Sequence, residues 1–367
     1  MINFFSAKIG SPVTEIDTPA LLLDADLLDS NIKKMAGFAN NEGINLRPHF
    51  KTHKCPALAH KQIEAGAIGI TCAKVSEAEI AATSGIKEIL IANQLVTAEK
   101  IEKLVSLNRH GNVMVAVDSI HNAKAISKAA AKRGQTINVV IERDVGLQRC
   151  GTRSLDETLK LAQAMEKLPG LQMAGLMGYE GHTVFLTPED KRAEQCKIAM
   201  ETLLKTKDAL SKNGFPVDIV SAGGTGTHEI TGKYHEITEL QVGSYATMDW
   251  KYKESGMDFS LALSVLGTVV STPEKDKAII DIGMKGITTD FGLPVVKNLK
   301  GASLTSLSEE HGIIKLNGDA CKLSVGDKLE LYPTHGCTTI NLYYNFYVIR
   351  NNYLETTWPI AARGAVR

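Results

Sequence analysis

The sequence predicts an α/β chain built as a (β/α)8 TIM barrel followed by a C-terminal β domain, and three observations predict it. From Thr18 to about Glu239, short apolar runs alternate with amphipathic stretches that close on glycine, the signal of a parallel sheet crossed by helices. About eight such units fall in roughly 240 residues, which suits a closed barrel better than an open doubly wound sheet. After about Asp258 the helical rhythm gives way to β-rich segments separated by turn residues. The expected division is a barrel over 16–257 and a β domain over 258–367, with residues 1–15 placed alongside the latter.

Element by element, ALLLD leads into LLDSNIKKMAGFANNEG, and INLRPHF into CPALAHKQIEAG. GITCAK precedes SEAEIAATSG, EILIAN precedes TAEKIEKLVSL, and VMVAVD precedes HNAKAISKAAAKRG. INVVIERD is followed by SLDETLKLAQAMEKLPG, LQMAGLMGYEG by PEDKRAEQCKIAMETLLKTKDALSKNG, and VDIVSAGG leads toward Glu239. The later segments SLALSVLGTVVST, KAIIDIG, KLSVGDKLELYP and NLYYNFYVIRNNYLETTWPI read as strands.

Composition narrows the function. The 367 residues carry no net charge and are 44% hydrophobic, so the chain can bury a large core and lacks the basic footprint of a nucleic-acid binder. No run approaches the ~18 apolar residues of a membrane span, and MINFFSAKIGS lacks a secretory pattern. A soluble, cytoplasmic protein is expected. The cysteines Cys55, Cys72, Cys150, Cys196, Cys321 and Cys337 are spread singly with no CxxC pair, which argues against a disulfide framework.

Against that neutral background, RPHFKTHK gathers Arg47, His49, Lys51, His53 and Lys54 at the end of the expected second strand. Chemistry in an α/β barrel sits at the C-terminal strand ends. There the sequence offers Lys51, Lys74, Asp118, Asp144, Arg149, Tyr179, Glu180 and His182, and then the glycine-rich SAGGTGT, Ser221 to Thr227. Glycine lets backbone N–H groups approach phosphate oxygens, and a second small-residue turn follows in QVGSY. A lysine at an early strand end with a phosphate cradle late in the barrel suits a Schiff-base enzyme using pyridoxal 5′-phosphate. Burial and the neighbouring cations Arg47, His53 and Lys54 would depress the amine pKa. A solvated basic turn or a structural anion site is the plainer alternative. In PTHGC, His335 and Cys337 are two apart, so an extended segment would turn both the same way, a borderline-soft pair suited to zinc.

RPHFKTHK, DVGLQRCG (Asp144 to Gly151), MGYEGH (Met177 to His182), SAGGTGT, TELQVGSY and PTHGC together resemble the D-threonine aldolase and D-serine dehydratase family, fold type III pyridoxal-phosphate enzymes related to alanine racemase. The resemblance runs from about Thr18 to WPIAARG and implies an alanine racemase-like barrel, a C-terminal β domain and a homodimer. It makes Lys51 the Schiff-base lysine, Arg149 the partner of the pyridine nitrogen and Tyr179 the aromatic beside the ring. Gly223, Gly224, Thr225, Gly243 and Ser244 fall on the phosphate cradle. His335 and Cys337 fall on a two-residue divalent metal site for zinc, manganese or magnesium, with open positions for water and a substrate hydroxyl.

The implied substrates are D-3-hydroxy amino acids. The implied reaction is retro-aldol cleavage to glycine and an aldehyde, or alternatively ammonia loss to a 2-oxo acid. Cys337 resembles the dehydratase ligand set, whereas MGYEGH and SLSEEHG (Ser306 to Gly312) look more like the aldolase branch, so the aldolase is preferred. His53 and His182 are candidate acid-base groups beside the β-substituent.

Overall fold

The computed structural model describes residues 7–367. Its elements, in chain order, begin with β1 (Ala20–Asp24), α1 (Ala25–Glu42), β2 (Asn45–Leu46), α2 (Pro56–Glu64), β3 (Ile70–Cys72) and α3 (Val75–Thr83). They continue with β4 (Glu88–Gln94), α4 (Ala98–Leu107), β5 (Asn112–Val117), α5 (Ile120–Lys132), β6 (Ile137–Glu142), α6 (Leu155–Met165), β7 (Leu171–Met177), α7 (Glu189–Lys212), β8 (Ile219–Ala222), α8 (His228–Thr231), β9 (Glu239–Leu240) and α9 (Trp250–Glu254). The remainder is mostly strand: β10 (Leu263–Glu274), β11 (Lys277–Ile280), β12 (Val295–Val296), β13 (Ala302–Leu307), β14 (Gly312–Leu316), β15 (Lys328–Tyr332), the short α10 (Gly336–Ile340), β16 (Asn345–Arg350) and β17 (Tyr353–Pro359). No helix among the described residues is long and apolar enough to cross a membrane.

The chain divides into two compact units. One comprises 34–51, 58–243 and 364–367, and is built on eight parallel strands in the order β2-β9-β8-β7-β6-β5-β4-β3. The ends of that order meet, because His49 bridges Thr71 in parallel, the Thr71 amide donates to the Pro48 carbonyl at 2.8 Å and the Ile68 amide to that of Leu46 at 2.9 Å. These strands are near-continuous apolar runs because crossover helices cover one face of a parallel sheet and side chains fill the other. Leu90, Met114, Ala116, Val140 and Met177 form one such buried cluster.

Barrel closure carries one charged device. Register pairs Asn45 with Glu239 and Leu46 with Leu240, so Arg47, two residues beyond Asn45, turns to the same side as Glu239. Its Nε lies 3.0 Å from both carboxylate oxygens and its Nη2 lies 2.9 Å from Oε2, with both side chains buried. Gly69 makes room for the guanidinium, since a Cβ there would lie 2.8 Å from Nη1.

Among the described residues the second unit comprises 7–33, 52–57 and 244–363. The strand Ala20–Asp24, expected to open the barrel, belongs here: β1 pairs antiparallel with β10 and parallel with β16. Its apolar residues alternate no differently from those of a barrel strand, so only the partners distinguish the two placements. The place it vacates in the barrel is taken by the two-residue β9. Ile16, Ala20, Leu22, Leu266, Ile349 and Leu354 form a core cluster of this sheet, and Pro12 bridges Tyr353 at its edge.

Removing one member of the Arg47–Glu239 pair leaves the other as an uncompensated buried charge or donor set, at a cost of about 3–5 kcal/mol. Urea denaturation of Glu239→Leu is expected to show a loss of that order. The Arg47→Met/Glu239→Leu double variant is expected to lose less than either single change.

Candidate active site

In the barrel unit, the cation-rich stretch is resolved into separate tasks. Arg47 is paired with Glu239 inside the barrel. His49 donates its amide to the Val242 carbonyl at 2.9 Å and completes the barrel ring. Lys51 lies in a 3-10 turn, Phe50–Thr52, just past the strand end, and its Nζ stands 5.9 Å from the centroid of the Tyr179 ring.

Tyr179 leaves β7 into a turn that fixes its ring between two stretches of backbone. A Cβ on Gly181 would lie 2.4 Å from one ring edge carbon, and a Cβ on Gly224 would lie 3.1 Å from the opposite one. Any side chain at either position would displace the ring. The lysine amine and the glycine-rich turn after β8 therefore converge on one aromatic surface, within one compact unit.

The glycine turn itself is organised from beneath. Gly223 adopts φ +76°, a conformation that glycine takes without strain. Its amide donates to Glu180 Oε2 at 3.3 Å, and the Gly224 amide donates to Thr227 Oγ1 at 3.0 Å. These two amides are thus committed to the protein, and the two glycines shape the turn rather than aim their own N–H groups outward. Thr225 is buried, and its carbonyl accepts from His228 Nδ1 at 2.8 Å, which fixes the ring as the Nδ1–H tautomer. Burial lowers the His228 pKa, against the raising effect of the Thr225 hydrogen bond. Gly243 follows β9 and ends the long segment 58–243 of the barrel unit.

Arg149 is exposed on the loop after β6, with its carbonyl held by Arg153 at 2.8 Å. Behind that loop, buried Glu142 accepts from Gln94 Nε2; burial raises its pKa, opposed by the Gln94 hydrogen bond and by the positive charge of Arg149. His182 follows the Tyr179 turn and packs on Gly146, where a Cβ would lie 2.8 Å from its Nε2. Its buried Nδ1 has no hydrogen-bond partner among the described residues. A buried polar atom left unpaired is uncommon and points to a group not yet counted.

The other unit holds His53, Ser244, His335 and Cys337. His53 is fully buried and its Nδ1 accepts the Cys55 amide at 3.2 Å, which leaves the proton on Nε2. Ser244 is buried and its carbonyl accepts the Met248 amide at 2.7 Å. The His335–Cys337 segment is not extended as expected: residues 336–340 form a short helix, because the Asp249 carboxylate captures the Gly336 amide at 3.0 Å. Burial raises the Asp249 pKa to about 6 even though the Gly336 and Tyr252 amides lower it.

The two donor side chains still meet. Asp290 hydrogen-bonds His335 Nδ1, Thr338 Oγ1 donates to Asp290 at 3.0 Å, and Phe291 stacks on the imidazole with centroids 4.2 Å apart. Burial pulls the His335 pKa down, but the hydrogen bonds and charges of Cys337 and Asp290 outweigh it and push it up to about 9. A carboxylate on one imidazole nitrogen orients the other for a metal. Among the described residues no group of three or more His, Cys, Asp or Glu side chains gathers as a metal site, so any ion here would have two protein ligands.

Glu180 and His228 are the residues that sequence reasoning left without a role. A signal for Glu180 was present in Thr227 and Thr231, four apart and so on one face of a helical turn, but their shared partner lies far away in sequence.

The residues present fit pyridoxal phosphate: an amine, an aromatic surface and a tight backbone turn converge, and a side chain at Gly224 would press on the Tyr179 ring. Comparison with known proteins agrees. The alanine racemase N-terminal domain family matches residues 23–250, and the putative serine dehydratase domain family matches 262–349. A D-threonine aldolase from Arthrobacter sp. is 38% identical over 98% of this chain and 96% of its own length. The crystal structure of a D-threonine aldolase from Filomicrobium marinum superposes with a TM-score of 0.96 at 35% identity, covering 98% of this chain and 100% of that one. The D-threo-3-hydroxyaspartate dehydratase from Delftia sp. HT23 superposes at 0.89 with 27% identity over 95% of this chain and 98% of that one, and a metal-free cysteine-to-alanine mutant of a D-threo-3-hydroxyaspartate dehydratase superposes at 0.87. This chain belongs to the alanine racemase N-terminal domain family, in the branch of D-threonine aldolases and D-serine dehydratases that carries the serine dehydratase-type second domain.

Proposed function

We propose that the protein is a pyridoxal phosphate- and divalent metal-dependent lyase of D-3-hydroxy amino acids, with D-threonine aldolase as its preferred activity. The observation that carries this reading is the Lys51 amine standing over the Tyr179 ring, which is itself wedged against the Gly223–Gly224 turn. Lys51 would hold the cofactor covalently, Tyr179 would support its ring, and the turn running through Thr225, with Gly243 and Ser244, would take the phosphate. Arg149 would face the pyridine nitrogen; an arginine there keeps its own proton, which moderates the ring as an electron acceptor. When bound, the cofactor supplies a sink for the electrons of a bond broken at Cα.

The remaining work falls to protein groups. Cleavage of Cα–Cβ requires removal of the proton on the β-hydroxyl, and the unpaired Nδ1 of His182 is suited to accept it. His53, with its proton fixed on Nε2, is suited to donate instead. His335 and Cys337 would hold the cation, with Asp290 bracing the imidazole. A divalent ion polarises a bound hydroxyl and makes its proton easier to lose. The thiolate of Cys337 favours zinc over manganese or magnesium. The second reading, a D-serine or D-threonine dehydratase, is favoured by Cys337, which resembles the dehydratase ligand set. A homodimer is part of the proposal.

Purified protein is expected to be yellow, and borohydride should trap the label on Lys51. Lys51→Ala should abolish trapping and lower turnover by on the order of 10³-fold or more. A colourless protein that gains no absorbance from added pyridoxal phosphate would sink the reading. With D-threonine, acetaldehyde and glycine are the expected products, whereas 2-oxobutanoate and ammonia would establish the dehydratase. EDTA should remove activity and a divalent ion restore it; full turnover in excess chelator, with no metal retained, refutes the metal's part.

A further inference from the structure

We propose that Glu180 is a positioning residue that sets the shape of the cofactor-phosphate turn and thereby the affinity for pyridoxal phosphate. This inference rests on the functional reading above, because it assumes that the turn after β8 is the phosphate cradle.

The Glu180 carboxylate is completely buried directly after Tyr179. Thr227 Oγ1 and Thr231 Oγ1 each donate to its Oε1 at 2.6 Å, and the Gly223 amide donates to Oε2 at 3.3 Å. Thr227 in turn accepts the Gly224 amide at 3.0 Å. One carboxylate therefore fixes both glycines of the turn, Gly223 directly and Gly224 through a hydroxyl. The network extends to α7, where Cys196 Sγ lies 3.4 Å from Thr231 Oγ1. Burial and the neighbouring Glu180 charge push the Cys196 thiol up to about 12, so it stays protonated and can donate.

A buried carboxylate beneath an expected phosphate site runs against charge complementarity unless its charge is met by donors. Here the donors all come from the turn and its short helix. The arrangement pulls the Gly223 and Gly224 amides toward Glu180 and fixes which backbone groups of the following residues remain to meet an anion. It also settles Gly224 against the Tyr179 ring, which couples the turn to the aromatic surface under Lys51.

Replacing Glu180 by Gln keeps the volume but supplies one acceptor oxygen and one NH2 donor. Whichever way the amide turns, its NH2 meets either the Gly223 N–H or the two threonine hydroxyls. The turn then loses a charge-assisted anchor, a change that corresponds to roughly 10–100-fold in a binding constant.

The test is fluorescence titration of apoprotein with pyridoxal phosphate, with 31P NMR of the bound phosphate as a second readout. Glu180→Gln and Thr227→Val are expected to raise Kd by about tenfold or more and to shift or broaden the 31P resonance. Thr227→Ser, which keeps the hydroxyl, should restore wild-type values. The absorbance maximum at saturating cofactor should stay unchanged, because Lys51 is not altered. If Glu180→Gln does not fold, the Thr227→Val and Thr227→Ser pair decides alone. Wild-type Kd and an unmoved phosphate resonance in Thr227→Val overturn this inference while leaving the enzyme reading intact. Failure of the unsubstituted chain to bind the cofactor removes both.

Discussion

The hydrogen-bonded ring of eight parallel strands is the constraint from which the site follows. In an open sheet the ends of β2, β7 and β8 need not meet; in a closed ring every C-terminal strand end reaches one rim. Closure is hardest where the strands are shortest, and β2 and β9 contribute two residues each. The buried Arg47–Glu239 pair spans that junction, and the bridge from His49 to Thr71 completes the ring on its other side. Lys51 follows within a few residues, so the same device that closes the barrel fixes where the amine emerges.

Around that amine the structure spends glycine in two ways. Gly223 supplies a backbone conformation with positive φ, whereas Gly181 and Gly224 supply absence of bulk on either side of Tyr179. Tyr179 thereby has little room to move, and a surface of fixed orientation is what a planar cofactor ring needs. Glu180 holds the far side of the same turn. The segment MGYEGH thus divides its labour: Tyr179 faces the lysine, Glu180 organises the turn beneath, and His182 presents an unpaired ring nitrogen.

The HGC segment obeys a different logic. A buried carboxylate, Asp249, starts a short helix at Gly336, and an exposed one, Asp290, orients the imidazole. Both act on the backbone or side chains of the donor pair, so the pair is preorganised by groups that are not themselves part of it. A sulfur donor beside the imidazole makes a softer pair than a carboxylate would.

By itself the sequence determined the alternation of strands and helices, the turn to β structure after about Asp258, and the strand-end positions of Lys51, Tyr179 and the SAGGTGT turn. These are written in local periodicity and in glycine spacing, which a single segment carries regardless of its neighbours. Tertiary structure alone decided that ALLLD pairs with β10 and β16, that Arg47 spends its charge on Glu239, that residues 336–340 coil into a helix, and that Glu180 anchors the glycine turn. Each of those outcomes depends on a hydrogen-bond partner dozens to hundreds of residues away. A strand pattern does not name its neighbour, nor a charged side chain its counter-ion, until the chain has closed on itself.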